Sequence, residues 1–282
     1  MGFFKRLSNG WKLGLTSMSV LRDNPSLILF PIISGFSLVL LTMSFLVGGY
    51  FMLGGSVSEV HLEGEWSSQF DFLSYIGLFL FYLVNYFIVI FFNVGLVHCA
   101  RKIFNGESTS FGEGINFAFS RIGTILSWAF MAATVGIILK TVQEKMGTIG
   151  KIASGILGVV WGIATFFVVP VLAYEEVGPI EAVKRSAMIM KEKWGESIGA
   201  NFSFSVFNFL GIILIAVPTF FVLSSIVNVV FAGIVSVVLV LLIMIVTSSA
   251  NMVFIAAVYE HVNQHSTKYF DDEILDEVFV AD

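Results

Sequence analysis

Six stretches of this chain are long and apolar enough to cross a bilayer, and no other feature limits its fold as much. They run approximately over 27–53, 72–100, 123–139, 152–174, 197–223 and 226–259. A hydrocarbon core is spanned by roughly 20 helical residues, a length that five of the six reach and the third approaches. Within each stretch the apolar residues are continuous and do not alternate with period two. Lipid offers no partner to a bare amide, so continuous runs select helices over a barrel. Composition agrees: 57% of the 282 residues are hydrophobic and 12% charged, where a soluble domain carries about 25% charged residues. The mean hydropathy is +0.91.

The expected fold is therefore all-α, a polytopic membrane helix bundle of about six transmembrane helices. It forms a single domain over 1–268, followed by an acidic tail over 269–282. The first stretch is too long for a signal-peptide core and no small-residue cleavage pattern follows it, so it reads as a retained span. The sixth is too long for a perpendicular span. It has to tilt, project beyond the bilayer or break, with a break expected near Asn228 to Gly233 or at Thr247, Ser248, Ser249 and Asn251.

Bases set the orientation, because Lys and Arg are retained on the cytoplasmic side. Eleven of them precede the first span or lie between spans two and three or four and five. Three, Lys140, Lys145 and Lys151, lie on the opposite side, and Lys268 is in the tail. Both termini are expected in the cytoplasm. The lone Cys99 excludes an intramolecular disulfide and a multi-cysteine metal site.

A unit made of an amphipathic elbow helix and a helical hairpin recurs three times, over approximately 1–105, 106–177 and 178–265. The elbow stripes are Phe4, Leu7, Trp11, Leu15 and Met18; Phe111, Ile115, Ala118 and Ile122; and Ile180, Val183, Ala187, Met190 and Trp194. Apolar faces flanked by bases suit the headgroup boundary. The spans that close the units also match one another. Ala173-Tyr174-Glu175-Glu176-Val177 parallels Val258-Tyr259-Glu260-His261-Val262, and Val97-His98-Cys99-Ala100-Arg101 is a more distant copy. All three units start on the same side, so the expected arrangement is a pseudo-threefold about the membrane normal.

The segment from Val169 to Ser186 ends a span in Tyr174-Glu175, turns at Gly178-Pro179 and continues into a helix with Lys184 and Arg185. Met190-Lys191 and Trp194-Gly195 follow. This pattern resembles poorly characterised prokaryotic six-span membrane families, among them the membrane domain of some glycerophosphodiester phosphodiesterases. The resemblance implies a fold and a prokaryotic cell membrane. It implies no activity, and it carries over no catalytic residue and no cofactor.

Several groups are candidates for a site. Glu175 and Glu260 stand where hydrocarbon meets headgroups, at the predicted level of Arg101, Lys184 and Arg185. They are read first as structural ion pairs that fix the hairpins. A sharper alternative gathers His98, Glu175, Glu260 and His261 into a divalent metal site. Asn85, Asn93, Asn201, Asn208 and Asn251 either line a polar path or lock helices together. Ser154, Gly158 and Gly162 form a small-residue packing ridge, and Pro31, Pro170 and Pro218 are possible kink points. The loop 56–66 carries Glu59, Glu63 and Glu65 without a base.

Phosphate-cradling glycine loops, metalloprotease helices and serine elbows are missing from the sequence. The bases flank apolar helices and fit lipid headgroups; nucleic acid is not an expected partner. The expected function is that of a non-enzymatic membrane protein, a scaffold or accessory subunit that self-associates or binds partner proteins and lipid. A channel or transporter for a small solute is the alternative. An intramembrane lipid-acting enzyme is a distant third.

Overall fold

The computed structural model describes residues 3–52, 68–192, 204–263 and 269–270. Among them the regular elements are helices and no strand occurs. In chain order they are α1 (Phe3–Asp23), α2 (Leu29–Met52), α3 (Ser68–Phe104), α4 (Phe111–Ser120) and α5 (Ile122–Lys145). α6 (Gly147–Ala164), α7 (Val168–Tyr174) and α8 (Pro179–Glu192) follow, then α9 (Phe204–Ile226) and α10 (Val229–Val262). Six helices are long and apolar enough to cross a membrane: α2 with the 3-10 turn before it, α3, α5, α6, α9 and α10. The tail beyond Phe270, the loop around Glu59, Asn201 and Trp194 lie outside the described residues.

Local chemistry sets the joints. Ser110 is extended and its Oγ accepts from the Glu113 amide at 3.3 Å, which starts α4 after a polar loop. Asn228 caps α10 in the same way, its Oδ1 accepting from the Phe231 amide at 2.8 Å. That cap is where the long sixth stretch is interrupted. From Val229 onward α10 runs unbroken to Val262, through Gly233 and through the polar run at Thr247 to Asn251. Thr247 and Ser249 bond back to the Ile243 and Ile245 carbonyls of the preceding turn, which satisfies these two hydroxyls without opening the helix.

The fourth stretch does break. Thr165 to Phe167 form a turn between α6 and α7, and Pro170 falls in the first turn of α7, where its missing N–H costs nothing. Ser186 of α8 holds the joint by accepting from the Phe167 amide at 2.9 Å. In α9 the backbone widens into a π segment over Ile212–Ala216, just before Pro218, which supplies no amide to the helical ladder.

Between α5 and α6 the chain reverses through Met146 alone. Gly147 has φ +54, and a Cβ on Gly150 would run into the Val142 carbonyl. Placing an L side chain in the left-handed region costs roughly 1–2 kcal/mol. Gly147→Ala is therefore expected to destabilise by about 1 kcal/mol in a denaturant titration of the extracted protein. Gly155→Ala, where nothing lies within 4 Å, serves as the neutral comparison.

Each elbow helix packs on a closing span from the preceding part of the chain: α4 on α3, α8 on α7, and α1 cyclically on α10. The buried elbow faces only partly follow the expected stripes, keeping Ala118 and Met190. They include Leu13, Ser17, Val20 and Leu21 in α1, Gly114 and Ala118 in α4, and Ala182, Ser186, Ile189 and Met190 in α8. Leu15, Ile122 and Ile180 point outward. Small residues let helices approach closely, as Gly114 does against Gly95 of α3, while α1 and α8 also bury Leu21, Ile189 and Met190.

The core sits at this elbow end. Its members come from the last turns of α3 and α10, the start of α5, all of α7 and the elbows, with Phe30, Phe167 and Phe254 fully buried. α3 is the hub, touching α2, α4, α5, α7 and α10.

Candidate functional site

The ends of α3, α7 and α10 meet, and each brings a charge or a tyrosine. Arg101 stands in the last turn of α3, and Tyr174 closes α7. Glu175 follows Tyr174 in extended backbone, while Tyr259 and Glu260 lie in the last turn of α10. Arg101 Nε is 3.2 Å from Glu260 Oε2, and its guanidinium lies 4.2 Å over the Tyr174 ring. On the other side Arg185 Nε is 3.1 Å from Glu175 Oε1, and the Tyr259 hydroxyl donates to the same oxygen at 2.9 Å. The two tyrosine rings stack between the pairs, 6.2 Å apart. Tyr174 also donates to the Val97 carbonyl at 3.3 Å.

The wiring is crossed. The tyrosine of one Tyr-Glu segment serves the arginine–carboxylate pair that holds the glutamate of the other. Two carboxylates and two guanidiniums sum to zero, which makes a buried charge such as Glu260, 3% exposed, affordable at the packed end. The arginine over an aromatic face adds a cation–π contact. Chemically the arrangement supplies neutralisation and cross-bracing of three helix ends.

Lys184 lies outside this cluster, paired with Glu181 at 3.4 Å on an exposed face of α8. The four residues considered for a metal are spread apart by their own partners. His98 stacks on Phe117 at 3.9 Å, Glu175 and Glu260 hold different arginines, and His261 is half-buried at the end of α10. Among the described residues no group of three or more such side chains is placed to hold a metal ion. His98 Nδ1 is buried without a hydrogen-bond partner. Next to it, Lys102 bonds Glu113 and lies 3.4 Å from Glu107; the hydrogen bond from Lys102 is the main reason the Glu113 carboxyl sits below the usual carboxylate range.

The described amides differ in their surroundings. Asn208 Oδ1 accepts from Thr247 at 2.7 Å and ties α9 to α10, whereas Asn251 Oδ1 is buried without a partner. Asn85 and Asn93 are half-buried on α3. On α6, Ser154 is buried, but Gly158 and Gly162 have nothing within 4 Å. Sequence reasoning did not single out Tyr174, Tyr259 or Phe117 as site residues; the doubled Tyr-Glu pair was the available signal for the first two.

Residues 72–269 match a family of unknown function, DUF6159. The chain belongs to this family. The match starts in α3 and runs past α10, so it takes in Arg101, Tyr174, Glu175, Arg185, Tyr259 and Glu260. Nothing in it links the family to glycerophosphodiester phosphodiesterases. No curated protein matches the chain.

Proposed function

We propose that this chain is a non-enzymatic integral membrane protein, a scaffold or accessory subunit. In this reading it binds lipid and further helices, its own or a partner's, along the half of the bundle away from the elbows. One observation carries the reading: burial of large side chains is concentrated at the elbow end. Along α10, Val258 is 0% exposed and Val230 74%. Phe36 and Leu46 of α2, Ile149 and Val159 of α6, and Leu214 and Phe221 of α9 are exposed in the same way. The open ridge of Gly155, Gly158 and Gly162 adds a surface on which another helix can settle closely.

The packed elbow end favours this reading over a conducting bundle, since fully buried phenylalanines and a neutral ion-pair layer fill the place a solute path would cross. The distribution of bases supports an orientation with the elbows and both termini on the cytoplasmic side of a cell membrane. The cyclic packing of elbows on closing spans supports three internal repeats.

Association is the test. Gly158→Leu with Gly162→Leu is expected to leave unfolding unchanged and to weaken self-association or partner capture about tenfold, read by native mass spectrometry and by energy transfer between labelled copies in bilayers. A chain that is monomeric and partner-free in both formats, before and after substitution, overturns the reading.

A further inference from the structure

At the end of the bundle away from the elbows, α3, α5 and α6 border an open cavity of about 880 Å³ that the ion-pair cluster does not touch. From the cavity and its lining we infer that this notch binds the phosphate group of an anionic amphiphile, the headgroup of a phospholipid in that leaflet. The inference deepens the lipid-binding part of the proposed function and rests on it.

The lining has the chemistry such a headgroup needs. Lys140 and Lys151 face the cavity from α5 and α6, with Gln143 beside them and Tyr82 and Tyr86 on the α3 wall. Glu144 also lines it, 3.7 Å from Lys140, so the ionisable side chains leave an excess of one positive charge. Space comes from small residues. Both tyrosine rings lie against α5 at Gly136, where Tyr86 Oη is 3.6 Å from where a Cβ would stand, and Gly155 adds no side chain opposite.

Depth fits a headgroup as well. Lys140 is five residues before the end of α5 and Lys151 four after the start of α6. At 1.5 Å per residue each ammonium is anchored about 6–8 Å below the hairpin turn, near the level of phosphates and glycerol esters. Beside the cavity Ile152 and Ile156, each 61% exposed, offer an apolar track for acyl chains. Two of the three bases that the chain places on its base-poor side line this notch. A volume of this size suits a small polar group with its glycerol, within the usual range for ligand sites of about 300–1,000 Å³.

The experiment compares the full chain with Lys140→Gln/Lys151→Gln and with the charge-keeping Lys140→Arg/Lys151→Arg by native mass spectrometry. The titrants are phosphatidylglycerol, phosphatidylcholine and inorganic phosphate. The full chain and the arginine variant are expected to retain phosphatidylglycerol about tenfold better than the glutamine variant, with phosphatidylcholine held equally weakly by all three. Inorganic phosphate bound through the same lysines, without a preference for phosphatidylglycerol, would keep the phosphate site and overturn the lipid as its source. Equal phosphatidylglycerol retention by all three proteins overturns the site. Association, read with the glycine variants, is independent of these lysines, so it shows whether the notch or the scaffold reading has failed.

Discussion

Arg101→Met is expected to cost about 3 kcal/mol of stability, read as the shift of the unfolding midpoint when the extracted protein is titrated with a denaturing detergent. The substitution keeps most of the apolar stem and removes the cation from a carboxylate that is 3% exposed. Breaking a buried pair from one side costs about 3–5 kcal/mol. Arg101 keeps 31% of its side chain open, and water reaching it puts the expected loss at the lower end. Arg101→Lys should recover only part, because a point charge replaces a planar group lying 4.2 Å over Tyr174. Adding Glu260→Gln to Arg101→Met should return much of the loss, a coupling that a double-mutant cycle measures. A loss below about 1 kcal/mol for Arg101→Met would show that the pair does not carry the load assigned to it.

Gly114→Leu is expected to be at least as damaging, about 3 kcal/mol, and to prevent α4 from seating. A Cβ at Gly114 would stand 2.5 Å from Phe30 Cζ, 2.7 Å from Cys99 Sγ and 2.8 Å from the Gly95 carbonyl oxygen. The ring and the thiol have some room to give, but the carbonyl belongs to the backbone of α3. Phe30→Leu should therefore rescue only part of the defect. Accessibility of Cys99 to a thiol reagent provides the second readout: it is buried in the intact protein, and it should open when α4 lifts.

The spans were legible because hydropathy summed over twenty residues swamps local detail. Joints were less so. Pro170 looked like a kink inside one span; it is the first-turn proline of a separate short helix, and the Ser186 hydroxyl that fixes the joint comes from the next element. The long sixth stretch offered two places to break, and the cap at Asn228 decided between them. Elbow faces were only partly legible, for a physical reason. Periodicity picked out Ala118 and Met190, which are buried, but close helix contact also selects Gly114, Ala182 and Ser186, which carry little hydropathy signal. At the site, Glu175, Glu260, Arg101 and Arg185 were visible as boundary charges. Which arginine holds which glutamate was not, because that follows from how α3, α7 and α10 converge and not from any local pattern.

The crossed wiring also bears on how the chain is made. Arg101 enters with the second span, but its carboxylate arrives with the sixth; likewise Glu175 enters with the fourth and waits for the Tyr259 hydroxyl. During insertion, then, Glu175 already has Arg185 of the next helix and lacks only its tyrosine, whereas Arg101 stands at the boundary with its carboxylate still unsynthesised. Headgroups and water must keep it there. Arrival of α10 supplies Glu260 and Tyr259 in a single turn of helix, so the last segment delivered completes the Arg101 pair and adds the tyrosine hydrogen bond to Glu175 at once. The layer thereby records whether every span before it has reached its place.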